Sequence, residues 1–118
     1  MKPISLIMHG AIDYLAVAIF AAAPTVIGLT GWPAALSYIL AGVHFLMTIL
    51  TDFPAGAAGL IAVSIHKWVE RIVGPALVII ALVPDERPEA RVFFAVMGVV
   101  IFAVERLTAY GFSIRAHG

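Results

Sequence analysis

Four apolar runs, at about residues 4–29, 34–53, 59–83 and 90–109, take up almost the whole chain, and only a few residues separate them. Each is near the ~20 residues that a helix needs to cross the hydrocarbon core of a bilayer. Connections this short force neighbouring helices to run antiparallel. Pro24 is expected to kink the first run or end it early, and Gly74-Pro75 to kink the third. Thr30-Gly31-Trp32-Pro33 reads as a turn with Trp32 at the membrane interface, and the second run stops at Pro54-Ala55-Gly56. Pro84-Asp85-Glu86-Arg87-Pro88-Glu89 is the one plainly aqueous loop, and a short tail carries Arg115 and His117. The expected fold is all-α: one integral membrane four-helix bundle over residues 1–118.

Composition supports this. With 63% hydrophobic and 12% charged residues, the chain is too apolar for an ordinary soluble domain. No basic run points to nucleic acid. The absence of cysteine removes disulfides, thiolate metal sites and thiol nucleophiles. Lys2, the apolar run after it and Ala21-Ala22-Ala23 have the outline of a signal peptide, but His9 and Asp13 interrupt it, so the run is read as a retained helix. Lys2, Lys67, Arg71, Arg106 and Arg115 fall towards one side, Arg87 and Arg91 towards the other. That bias places both termini in the cytoplasm.

Residues 51–71 break the apolar pattern with Asp52, His66, Lys67, Glu70 and Arg71. Ionisable groups at bilayer depth need a partner, a water path or a task. The pattern also repeats. His9-Gly-Ala-Ile-Asp13 is matched 57 residues later by His66-Lys-Trp-Val-Glu70, an acid four positions after a histidine, and Gly42-Val43 is matched by Gly98-Val99, 56 later. Helices one and three enter from the same side, so the halves (about 4–56 and 59–112) read as two parallel helical-hairpin repeats about an axis along the membrane normal.

A histidine and an acid four apart share one helix face. His9/Asp13 and His66/Glu70 therefore each form a face, and His44, Thr48, Thr51 and Asp52 form a stripe on helix two. At ~1.5 Å per residue, His9, Asp52 and His66 fall within roughly 10 Å of the cytoplasmic boundary, with Asp13, His44 and Glu70 on the order of 12 to 18 Å in. Each has a plain alternative. The His/acid pairs can be same-helix hydrogen bonds that neutralise both groups. Asp52 can be a helix-end cap or loop residue, because Pro54 follows at once, His44 a core histidine donating to a carbonyl of a neighbouring helix, and Arg71 and Arg106 interface anchors or partners of Glu70 and Glu105.

The chain resembles the SPW-repeat family of small bacterial membrane proteins. The likeness rests on His9-Gly10-Ala11-Ile12-Asp13-Tyr14, on Ala23-Pro24, and on Leu50-Thr51-Asp52-Phe53 with Gly56. Thr25 stands where the family has Trp, Glu70 where it has Asp, and the second half offers only Val83-Pro84 for Ser-Pro-Trp. The resemblance implies a fold, a repeat and a bacterial inner membrane. It implies no activity.

Four functions compete. The first is a cation, proton or metal-type site at His9, Asp13, His66, Glu70 and Asp52, suited to a divalent metal such as Zn, Fe or Mn rather than Cu(I). The second is a b-type haem for electron transfer, held by His9 and His66 or by either with His44. The third is an accessory subunit of a larger membrane complex, or a homo-oligomer, whose polar network only specifies packing. The fourth, a membrane enzyme, ranks last because no nucleophile motif, phosphate loop or dinucleotide fingerprint is present. Cation binding leads.

Overall fold

The computed structural model describes residues 2–83 and 87–109. Four helices hold most of them: α1 (Leu6–Ile27), α2 (Gly31–Leu50), α3 (Val63–Ile80) and α4 (Pro88–Leu107). There is no strand among the described residues, only two isolated parallel bridges, Ile4 with Thr108 and Thr51 with Ile61. The fold is all-helical.

Helix α1 starts where the Ser5 hydroxyl accepts from Met8 N at 3.2 Å, and it ends on Gly28, whose φ of 80° suits a residue without Cβ. Pro24 neither ends the helix nor shortens it. Proline has no N–H to give the carbonyl four residues back. That carbonyl, Phe20 O, instead accepts from the buried Ser37 hydroxyl of α2 at 2.6 Å. The neighbouring helix supplies the missing donor, so α1 runs on to Ile27.

Helix α2 stops at Leu50, three residues before the apolar run ends. The chain then folds back on itself. Asp52 N donates to Ile61 O at 2.7 Å, and Leu60 N and Ile61 N both donate to Leu50 O, at 2.7 and 2.8 Å. Residues 52–62 are thus a compact loop across the ends of α2 and α3. Of the expected aqueous loop, 84–86 lie outside the described residues, as do Arg115 and His117. Arg87 and Arg91 bind the last carbonyls of α1 and α3, Ile27 O at 3.3 Å and Ala81 O at 2.9 Å.

Helices α1 and α2 pack as one pair and α3 and α4 as another, with α1 also touching α4. In the second pair the backbones come close: a Cβ on Gly98 would stand 2.6 Å from Gly74 O. Small residues permit that approach. Gly42 faces open space and is exposed, so the 56-residue match between Gly42 and Gly98 does not reflect a shared packing role. The main core, with Phe20, Leu40, Leu77, Phe94 and Ile101, joins all four helices. Among the described residues α1 and α2 are long and apolar enough to cross a membrane. Helix α3 carries Lys67, Glu70 and Arg71 within its 18 residues, and α4 carries charges near both ends.

Candidate metal centre

The first turns of α1 and α3 meet the last turns of α2 and α4 at one end of the molecule. There His9, Asp13, His66 and Glu70 converge, all buried, with one ligand atom from each lying within 4.8 Å of the others. The approaches form a ring in which nitrogen and oxygen alternate. His9 Nε2 lies 2.8 Å from Glu70 Oε1 and 3.3 Å from Asp13 Oδ2. His66 Nε2 lies 2.9 Å from that same Asp13 oxygen and 3.1 Å from Glu70 Oε2. Glu70 spans the two imidazoles with separate oxygens, whereas Asp13 serves both with one. The same-helix pairs therefore exist, and the crossed approaches between α1 and α3 are shorter.

The far side of each ring has its own partner. His9 Nδ1 is 2.8 Å from Thr108 Oγ1, and His66 Nδ1 is 2.8 Å from Thr51 Oγ1. Both threonines are the residues that end a helix, α2 and α4. Carbonyls of a last helical turn lack intrahelical donors. Thr51 donates its hydroxyl proton to Met47 O and Thr108 donates to Val104 O. A hydroxyl has one proton. With that proton committed to a carbonyl, each threonine oxygen must accept from the histidine, so both Nδ1 atoms carry hydrogen. A neutral imidazole protonated there presents its Nε2 lone pair to the carboxylates. Only His66 Nε2 with Glu70 Oε2 is aligned as a hydrogen bond; Asp13 Oδ2 and Glu70 Oε1, both buried, have short distances but no aligned hydrogen bond.

Such a ring has two chemical uses. Two carboxylates carry two negative charges, which a closed corner must neutralise with two shared protons or with one divalent cation. Ligands ~2.0–2.1 Å from a tetrahedral zinc stand roughly 3.3–3.4 Å apart, so the 2.8–3.3 Å edges of the ring would open on binding while separations across it, within 4.8 Å, would draw in. Two imidazoles and two carboxylates suit Zn, Mn, Fe(II) or Co(II). The Nδ1–Thr contacts are the outer partners that metal-bound histidines characteristically have.

A haem does not fit. The His9 and His66 rings are 5.6 Å apart, edge to face at 74°, and both Nε2 atoms turn towards the same two carboxylates. A macrocycle between them would displace Asp13 and Glu70. His44 is no substitute: its Nδ1 donates to Leu40 O at 3.1 Å, one turn back on its own helix, and its ring lies against Phe20. The expected bond to a neighbouring helix is replaced by this local one.

Asp52 is also apart from the cluster. It is exposed in the loop, because the period-3.6 stripe that grouped it with Thr48 and Thr51 ends with the helix at Leu50. Arg71 pairs with Glu105 and not Glu70, through Nε and a terminal nitrogen, both at 3.0 Å. One residue along a helix turns the side chain ~100°, so Glu70 faces α1 while Arg71 faces α4.

The loop closes the centre. The Phe53 ring packs on His66 at 5.4 Å, and the Tyr14 hydroxyl donates to Ala55 O at 2.8 Å. A Cβ on Gly10 would run into the Cβ of Ala55, and one on Gly56 into Thr51 O. Gly10, Tyr14, Phe53 and Gly56 thus seat the loop against α1 and α3. Thr108 is the functional contact that the pattern of acids and histidines did not reveal. Its signal is the dipeptide Leu107-Thr108, which repeats Leu50-Thr51 at the 57-residue spacing of the two histidines.

No protein-family model matches the chain, and no curated protein and no solved structure matches it.

Proposed function

We propose that this chain is a four-span membrane protein that binds one divalent transition-metal cation at His9, Asp13, His66 and Glu70, in exchange for two protons. The observation that carries the reading is the convergence of two imidazole nitrogens and two carboxylates within 4.8 Å in a buried corner. Each imidazole is aimed by a threonine. A corner built this way stays neutral whether it holds two protons or one cation, and that equivalence makes exchange feasible without a net buried charge.

Membrane integration is supported by the outer faces. Only 39% and 33% of the most apolar windows of α1 and α2 are buried, unlike the core helices of a soluble protein. Helices α3 and α4 also turn large apolar side chains outward, among them Ile72, Ile79, Val92, Val96 and Val99. The two-repeat reading draws on the 57-residue register of the His–Thr contacts, and the SPW-repeat likeness on the motif residues of the centre. In this reading both termini are cytoplasmic in a bacterial inner membrane. A cysteine at Glu86 (Glu86→Cys) should react with an impermeant label in intact cells; reaction only after lysis would reverse the topology.

The test of the cation site is elemental analysis of purified protein dialysed against Zn, Mn or Fe(II). Wild type should retain about one equivalent, and Asp13→Asn, His9→Ala and His66→Ala should retain none while remaining folded. Asp13→Asn keeps shape and removes charge. Unchanged metal content in all three variants would remove the proposal. It would favour a second reading, an accessory subunit with a structural polar network, supported by the ring edges of 2.8–3.3 Å, short enough for shared protons alone to hold them.

A further inference from the structure

The centre has two flanks, one on each helix pair, and only one of them is charged. Arg71, Glu105 and Arg106 on the α3–α4 flank have Tyr14, Thr48 and Ile49 as their counterparts 57 residues earlier. Glu105, 1% exposed, is held by the Arg71 guanidinium. That pair is neutral, so Arg106 leaves this flank with one positive charge over. Arg106 is exposed, and its guanidinium carbon lies 5.9 Å from the centre of the Phe102 ring. Among the described residues no carboxylate forms an ion pair with it.

Phe102 leads from Arg106 into an apolar groove between α3 and α4. Pro75, Val78 and Ile79 form one wall and Gly98, Val99 and Phe102 the other, around a volume of about 340 Å³. The buried Gly98 makes the floor, and the exposed Ile79, Val99 and Phe102 make the rim. No polar side chain lines it. A second hollow of about 370 Å³ shares Val78 with the first and ends at Arg91, whose Nε is committed to Ala81 O. The two ends of the groove therefore differ: one guanidinium caps a helix, and the other stands over an aromatic ring at the mouth. From Arg106 to Gly98 is about 12 Å along the helix, close to the ~15 Å depth of one leaflet of the hydrocarbon core.

We propose that the α3–α4 groove holds one acyl chain of an anionic phospholipid, with the lipid phosphate bound by Arg106. The proposal rests on the membrane-spanning reading above and is independent of a cation at the centre. An occupant with an apolar tail and a negative head satisfies both the walls and the mouth. Basic positions at the cytoplasmic ends of membrane helices attract such headgroups, and a guanidinium offers a phosphate two parallel N–H donors. The exposed Trp68, whose ring lies 4.7 Å from the Arg71 guanidinium carbon, stands at the same end, at the depth where tryptophan favours the interface. A second copy of the chain fits less well. Two copies packed groove to groove about a two-fold axis along the membrane normal would set Arg106 towards Arg106.

The experiment is native mass spectrometry of the full chain, released from micelles containing phosphatidylglycerol or phosphatidylcholine with the same acyl chains. Wild type should retain one phosphatidylglycerol about tenfold more tightly than phosphatidylcholine, and Arg106→Gln should lose that preference. Val99→Trp and Ile79→Trp each put a large ring into the groove from an exposed wall position, one on each helix, and should remove most bound lipid of either kind while Arg106 stays. Inorganic phosphate at the lipid concentration should displace none of it. Equal retention of the two lipids by wild type overturns the proposal, as does unchanged phosphatidylglycerol in Arg106→Gln or in a folded tryptophan variant. Displacement by inorganic phosphate, or a dimer in place of a lipid-bound monomer, overturns it too. Alkaline carbonate washing of membranes that carry the chain tests the underlying reading separately. Release of the chain overturns both, whereas a chain that stays in the membrane and shows no lipid preference overturns the groove alone.

Discussion

The α1–α2 pair and the α3–α4 pair bring matched parts to the centre and diverge one turn away from it. Each contributes a histidine from a first turn and a threonine from a last turn, with the Nδ1–Oγ1 distance 2.8 Å in both. Even the backbone bridges correspond: Ile4 N donates to Leu107 O and Ile61 N to Leu50 O. Beyond this the pairs differ. One has an ion pair and a glycine contact between backbones, Arg71–Glu105 and Gly74–Gly98; the other has Tyr14, Thr48 and His44. The shared parts are those that aim an imidazole. The parts that differ decide how each flank is closed: one by charge, the other by neutral polar groups.

The two pairs should respond most unequally to substitution at residues that occupy matched places with unlike chemistry. Glu105→Ala should have the largest effect on stability. It leaves the Arg71 guanidinium, 28% exposed, without its bidentate partner. Removing one member of a buried pair costs about 3–5 kcal/mol, with the lower end expected for a partly exposed arginine. Thr48→Val, at the matched place, should cost little or stabilise, because that hydroxyl has no partner to lose. Thermal or denaturant unfolding of the two variants checks the contrast, and equal costs would mean that the flanks are not different in kind.

Thr51→Val and Thr108→Val act on the parts that the two pairs share. Each removes the acceptor that orients one imidazole, and loss of such an outer partner typically lowers metal affinity about 10- to 100-fold. The two losses should agree within a few-fold in a cobalt titration. A large effect for one alone would make the centre a one-sided site. Gly10→Ala comes next. Its Cβ meets that of Ala55, and overpacking of this kind costs about 1–3 kcal/mol. Position 67, its counterpart, already carries a lysine, so Lys67→Ala should be milder. Asp52→Asn is the smallest. An exposed loop carboxylate outside the ring should leave both cation content and unfolding midpoint unchanged.

Much of the centre was legible in the sequence because two regularities, one local and one between the halves, coincide there. A spacing of four puts His9 over Asp13 and His66 over Glu70, and the 57-residue repeat puts both pairs at the same height. What the rules do not supply is rotation of one helix against another. That is why Arg71 was grouped with Glu70, its neighbour in sequence, when the face it occupies belongs to Glu105. Periodicity also carries no stop signal of its own: a helical stripe continued to Asp52 overruns the helix, whereas the nearby Pro54 points to the loop position that Asp52 occupies. Pro24 illustrates a third limit. A lone proline predicts a broken helix, and only the tertiary partner Ser37, which satisfies Phe20 O, lets the helix continue.

The crossed wiring of the ring has a consequence for biosynthesis. His9 and its partner Thr108 are 99 residues apart. A ribosome adding about 5–20 residues per second leaves His9 waiting roughly 5–20 seconds for that contact. Asp13 follows almost at once and lies one turn away, so the nascent first helix can form with its imidazole and carboxylate covering each other. When α3 arrives, each histidine gains a second acid: the approaches between helices, 2.8 and 2.9 Å, are shorter than the local ones, 3.3 and 3.1 Å, which persist beside them. Each acid thus has two duties that begin at different times, cover for its own histidine first and a bridge to the other helix once α3 is made.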